Sequence, residues 1–413
     1  MHPSYLVLIL AIIFISQEKK GQLPSPPVSA GSRYPNLLVE NNHLAMTWFE
    51  ANETEKRLLF SEMKNGEWIA PTTIASSKNF FMNWADFPSL YSLGGDTLAV
   101  HYLEKGGSGT YDYNVKISFS YNHGKNWSNG IIVHKDSSHG EHGFVSFYRT
   151  KENTHGMVWL DGRFMAPESE EETSHDEHGG GSMHLYSTSF SAKTFERNEI
   201  ILDNRVCECC PTSSLQTENG VLIAYRDRSE DEVRNINILR HENGNSPDSR
   251  AGWSEPKPIH DDKWKIPGCP VNGPTLVGEG KNVACVWYTA PDNSPEVRIA
   301  FSSDEGKNFS SPIRVDDSLS LGRVHAVWLD DGSVLVSWLE QVEQITELRI
   351  RKIYSDGRKT QSKTISEIDA SRGSGYPKMA KFTGKIFIVW TQPGKETSVE
   401  TKWIEMEDVR REK

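Results

Sequence analysis

The chain is 413 residues long, 36% hydrophobic and 24% charged, with a formal net charge of −11 at pH 7. That acidic balance argues against nucleic acid as a partner, since phosphate binding needs clustered Lys and Arg. Abundant tryptophan (12) and glycine (32) suit a fold built from many short strands and turns.

At the N-terminus an apolar run, Tyr5 to Ile15, is followed by Gln17-Glu18-Lys19-Lys20. It is shorter than the roughly 20 residues of a membrane span. The segment 1–20 therefore reads as a secretory signal peptide, with an uncleaved N-terminal anchor as the alternative. This predicts a secreted, periplasmic or cell-surface protein that meets a membrane only through that segment. Residues 21–31 are rich in Pro and Ser and read as a linker, and 32–408 as one β domain. The acidic run Glu168–Glu172 reads as a solvated loop.

Two phrases recur along the domain. The first is a turn, a short run, and a strand ending in an aromatic residue, as in YPNLLVENNHLAMTWFE and GPTLVGEGKNVACVWYT. Its aromatics are Trp48, Tyr102, Trp159, Tyr225, Trp287, Trp338 and Trp390. The second follows all but the last of these and is clearest in EVRIAFSSDEGKNFSSPIRV (296–315), where Val297, Ile299 and Phe301 alternate with polar residues as in a half-buried strand. Ser302, Asp304, Gly306 and Phe309 occupy its turn, and Ser120, Asn122, Gly124 and Trp127 match them in 115–133. Looser copies lie at 58–74, 184–201, 236–259 and 348–365. Two hairpins per period predict a four-stranded sheet, and sheets repeated at this period predict an all-β propeller. Seven copies favour seven blades, with six as the alternative. Residues 22–32 are placed to supply the strand that the last copy lacks.

In such a ring, residues just before strand one and just after strand two of each blade share one face. After strand two stand Glu50, Glu104, Asp161, Asp227, Thr289, Glu340 and Gln392, five of seven acidic. Arg163 and Arg226 lie beside them, and Arg33, Asp86, Asn272 and Arg323 precede first strands. These carboxylates either lock blades together through amides and arginines or line a pocket at the channel mouth.

All five cysteines lie between 207 and 285. Cys207, Cys209 and Cys210 form VCECCP, Cys269 sits in PGCPVNGP, and Cys285 alternates with Val283 and Trp287 as a buried strand residue. In an oxidising compartment a disulfide from Cys269 to one of the first three is expected. The alternative is a soft metal, Cu or Zn, held by Cys207, Cys209, Cys210 and Cys269. His139, His142, His175, His178 and His184 are further nitrogen donors or solvated loop residues.

The S-x-D-x-G-x-x-W/F turn resembles the Asp box of the sialidase/BNR-repeat superfamily, across nearly the whole mature chain. Together with the CxCCP segment, it is similar to a secreted sialidase-like branch. That resemblance implies recognition, with or without hydrolysis, of an acidic, sialic-acid-type glycan or glycoconjugate and requires no cofactor. It implies an arginine cluster for the substrate carboxylate, a tyrosine nucleophile activated by glutamate, and an acid/base aspartate. Arg33-Tyr34-Pro35 resembles the family's entry motif. Glu208 resembles its glutamate, Arg226 its second arginine and Tyr376 its late tyrosine. Arg298, Arg323, Arg349 and Arg351 compete for the third arginine. After strand two of the first copy only Glu50, Glu53 or Glu55 is available as acid/base, and Asp86 stands one blade further on. The rival expectation is a non-catalytic propeller that binds metal or acts as a protein-interaction module.

Overall fold

The computed structural model describes residues 23–40, 42–150, 154–165, 181–191 and 197–410. The expected signal segment, His175, His178 and the run Glu168–Glu172 lie outside these residues. Seven antiparallel sheets follow one another along the chain, each built from consecutive strands. Blade 5 shows the plan in Thr275–Glu279, Asn282–Thr289, Glu296–Ser302 and Ile313–Arg314. Blade 1 (Ser32–Glu40, His43–Ala51, Lys56–Lys64 and two short strands) carries a fifth strand, and blade 7 (Lys378–Phe382, Lys385–Gln392, Ser398–Glu405) has three. The seven-bladed reading holds. No helix among the described residues is long and apolar enough to cross a membrane.

The ring exists because a single blade has two apolar faces. Seven hydrophobic clusters fill the seven gaps between neighbouring blades. Each of the seven strand-two aromatics falls in a different cluster, packed toward the preceding blade. Trp48, Trp159, Tyr225 and Trp338 are fully buried. Trp48 of blade 1 meets Phe382, Phe387 and Val389 of blade 7, which closes the circle.

The N-terminal segment lies where the missing strand was expected but does not extend the sheet. Gly31 N–H donates to the Thr397 carbonyl, and Leu23 and Val28 pack beside Trp403. Residues 23–29 carry no strand. Pro24, Pro26 and Pro27 account for this, since proline cannot donate to a ladder.

The two similar turns are alike in their bonding. Gly306 N–H and Gly124 N–H each donate to a serine hydroxyl, Ser302 or Ser120, at 2.9 Å. Asp304 and Asn122 each accept the amide of the residue four further on, also at 2.9 Å. Gly124 has φ +76, and a Cβ there would sit 2.2 Å from the Phe60 ring, so glycine is required for blade 2 to approach blade 1.

Candidate functional site

Every blade sends the start of its inner strand to one axial cavity of about 260 Å³, lined by Asn36, Asp86, Phe144, Thr212, Pro274, His325, Tyr376 and Lys378 among others. Two rim segments beside it carry the thiols. The first is tied to blade 4, where Cys207 N–H donates to the Arg226 carbonyl at 3.0 Å. The second runs through Cys269 to Gly273. A Cβ on Gly273 would sit 2.0 Å from the Pro211 carbonyl oxygen, so the segments meet only because that residue is glycine. Asn272 N–H then donates to Cys210 Sγ at 3.4 Å.

The Sγ atoms of Cys207, Cys209 and Cys210 lie within 4.8 Å of one another, and Cys207 and Cys210 are 3.4 Å apart. Cys269 sits at the exposed rim with its Sγ 3.9 Å from Glu208 Oε2. All five cysteines are free. No disulfide joins Cys269 to Cys207, Cys209 or Cys210 in this structure, where the Cys269 sulfur lies against Glu208 instead. Cys285 is fully buried between blades 4 and 5, as its alternation predicts.

Burial pushes the Cys207 thiol up, but hydrogen bonds from the Cys209, Cys210 and Cys269 thiols and the Arg234 guanidinium carry it well below its ordinary value. Burial and the Cys207 charge hold Cys210 up at about 12. Three sulfurs within 4.8 Å of one another are a donor set that suits a soft cation.

The residues matched to a sialidase reach the same face but turn to other partners. Glu208 is buried and ion-paired with Arg228 and, at 3.3 Å, with Arg234. The Tyr376 hydroxyl donates to the Val271 carbonyl at 2.5 Å. Its ring packs beside Trp84 and Phe87, and burial pushes its pKa up. Arg226 is 1% exposed and spends its guanidinium on the carbonyls of Asn272, Arg234 and Tyr288. Arg323 does the same with Ala370, Ser371 and Gly375 and lies over Trp84. Asn272 accepts the Arg323 amide at 2.7 Å. Arg163 forks onto Asp161 and reaches Glu199. Arg33 reaches the Gly31 carbonyl at 3.4 Å. Asp86 accepts the Phe144 amide at 2.6 Å and faces His101 Nε2 at 3.8 Å.

Much of the acidic ring serves structure. Asp161 and Glu340 each accept the indole N–H of their own blade's tryptophan, at 2.8 and 2.6 Å. Blade 5 has threonine at that position, and Asp262 supplies the carboxylate to Trp287 at 2.7 Å. Of the described histidines, His139 pairs with Asp112 and His142 with Asp136. His184 packs on Phe164.

Two features were not singled out in the sequence. Tyr113 donates to Glu141 Oε1 at 2.5 Å, and burial with the charges of Asp86, Glu208 and Cys207 pushes Glu141 up to about 8. Tyr113 is fully buried and stacked on Phe81, so it cannot touch a sugar. Glu141 precedes a first strand, as Cys210 does, and that position was the available signal. The second is Lys378, whose ammonium lies over the Phe87 ring at 4.1 Å in the cavity. Burial pushes its pKa down from 10.5 to about 7. Between those two values the unfolded chain holds the proton and the folded chain does not, so this lysine makes stability rise with pH. Lys378→Met should flatten that rise relative to wild type, as read from denaturation midpoints at pH 7, 8, 9 and 10. Parallel profiles would contradict it.

No family model matches the chain, and no curated protein matches it. Solved structures do. An ulvan lyase of a polysaccharide lyase family aligns at TM-score 0.56 and 8% identity, over 91% of this chain and 94% of that one. A mutant of the NanB sialidase from Streptococcus pneumoniae gives 0.50 and 11%, over 89% and 84%. The endosialidase of phage phi92 gives 0.50 and 8%, over 93% and 68%. Such identities show a shared propeller fold with proteins that act on glycans.

Proposed function

We propose that this protein is a non-catalytic, sialidase-like propeller that holds a soft metal ion at the thiol cluster beside its axial cavity. The observation that carries the reading is the convergence of Cys207, Cys209 and Cys210 on one point, with Cys269 at the rim against Glu208. Soft thiolates select Cu(I) and Zn(II). Cu(I) is favoured, because three sulfurs drawn from one short turn suit a low coordination number. Cys207 brings the first negative charge, and Arg228 and Arg234 neutralise Glu208 beside it. If the N-terminal segment directs secretion, bare neighbouring thiols would meet an oxidising compartment, where a bound metal protects them. Cu(I) titration of the reduced protein against a chromophoric chelator tests the proposal. One tightly held equivalent supports it, and no competition with the chelator overturns it.

A second reading, recognition of an acidic glycan in the cavity, is favoured by Lys378, an amine there with no carboxylate partner among the described residues, which a bound anion would help to protonate. The glycan-acting neighbours agree with it in fold alone. Hydrolysis of a sialoside is not expected, because Tyr376 and Glu208 are each committed elsewhere. Wild type and Tyr376→Phe should both stay at blank in a sialoside assay. The variant should lose about 1–3 kcal/mol of stability through the unpaired Val271 carbonyl. Turnover by wild type that Tyr376→Phe abolishes would restore the hydrolase reading.

A further inference from the structure

The opposite face of the ring carries a second group of metal-ligand side chains, at the seam of blades 1 and 2. His43 opens the second strand of blade 1, and Glu62 lies near the end of its third strand. His123 belongs to the Ser120–Gly124 turn of blade 2. One ligand atom from each lies within 4.8 Å of the others. His123 Nε2 is 2.5 Å and His43 Nδ1 4.0 Å from the same oxygen, Glu62 Oε2. The two rings meet edge to face at 5.2 Å.

The repeat shows what is unusual here. The residue matching His123 in blade 5 is Glu305, and both have φ near +60° (58 and 60). That slot reaches back to the preceding blade. In blade 5 the Glu305 carboxylate is saturated, accepting from the Thr217 hydroxyl and from the Asn219 amide and side chain. In blade 2 the same slot holds an imidazole that meets a buried carboxylate and a second imidazole. Glu62 is 1% exposed, and its Oε1 has no hydrogen-bond partner, although the Lys64 ammonium stands 2.7 Å away. His123 Nδ1 is likewise buried without a hydrogen bond, 3.8 Å from Asp96 Oδ1.

We propose that His43, Glu62 and His123 form a two-histidine, one-carboxylate site for a divalent ion of the Zn(II) class, stapling blade 1 to blade 2. Asp96 Oδ1, 3.8 Å from His123 Nδ1, would have to close by rotation to accept that proton in the loaded site, the usual outer-shell arrangement for a metal-bound histidine. Zinc–ligand distances of about 2.0–2.2 Å would require the three ligand atoms, now within 4.8 Å of one another, to rearrange around the ion. Lys64 is the competing cation and swings out when the ion binds. Its side chain is 46% exposed, so it has room to do so. This inference does not rest on the thiol cluster.

Calorimetric titration of Zn(II) into the full chain, with its thermal midpoint followed in parallel, tests it. Wild type should bind one equivalent that the His43→Ala/His123→Ala variant lacks, with the midpoint raised by Zn(II) only where that equivalent binds. Glu62→Gln keeps the shape and should weaken the equivalent at least ~10-fold. Lys64→Met should strengthen it, which a purely structural ion pair would not produce. Unchanged stoichiometry in the double histidine variant, or lower stability without loss of a zinc equivalent, would assign the cluster to ion pairing alone and overturn the proposal.

Discussion

Cys207→Ser should weaken Cu(I) binding on the order of a hundredfold or more, since outer-shell partners of metal ligands alone are worth about 10–100-fold. The effect is large because Cys207 lies at the centre of the cluster, 3.4 Å from the Cys210 sulfur, where neighbouring thiols and Arg234 push its pKa down. Cys209→Ser and Cys210→Ser should follow in the same direction. Cys285→Ala is the control, because that thiol is sealed between blades 4 and 5. Competition against a chromophoric Cu(I) chelator, under reducing conditions, gives the ratios. Equal affinity in wild type and Cys207→Ser would remove the cluster from any metal role.

Arg226→Met should destabilise the ring by about 3–5 kcal/mol, the cost of stripping partners from buried polar groups. Its guanidinium bridges carbonyls of blades 4 and 5 from a site that is 1% exposed. Chemical denaturation should show a lower midpoint at unchanged slope. The same experiment separates two roles. An arginine kept free for a substrate carboxylate would cost little stability when replaced, so a loss below about 0.5 kcal/mol, the usual range for surface changes, would contradict the structural role.

The blades were legible because their signal is local and repeated. Each strand-two aromatic lies a fixed step from its turn, and burial against the preceding blade is what the repeat encodes. The register of the third and sixth copies was not legible. There, as in the first copy between Arg33 and Asn36, the inner strand begins early and kinks through a bulge, between Gly143 and Ser146 and between Gly322 and His325. Phe144 and Arg323 take φ +56 and +52 at those kinks, a conformation with no sequence mark in residues of their type.

At the site, residue type and position along a strand were readable, and direction was not. Tyr376, Glu208 and Arg226 stand where a sialidase comparison places them, yet each is bound by a neighbour distant in sequence. Val271 takes Tyr376, Arg228 and Arg234 take Glu208, and Asn272 with Tyr288 takes Arg226. The Tyr113–Glu141 pair joins residues of two blades, which no single copy of the repeat reveals. For the cysteines, spacing showed a cluster, while the approach of Gly273 to Pro211 decides how the two segments meet.

X-ray absorption at the copper edge, on full-length protein loaded with Cu(I) under reducing conditions, tests the central claim most directly. The account predicts one ion per chain with sulfur as its only near neighbour, and loss of that shell in Cys207→Ser. A shell of nitrogen and oxygen, or no retained copper together with a disulfide among Cys207, Cys209, Cys210 and Cys269, would contradict it.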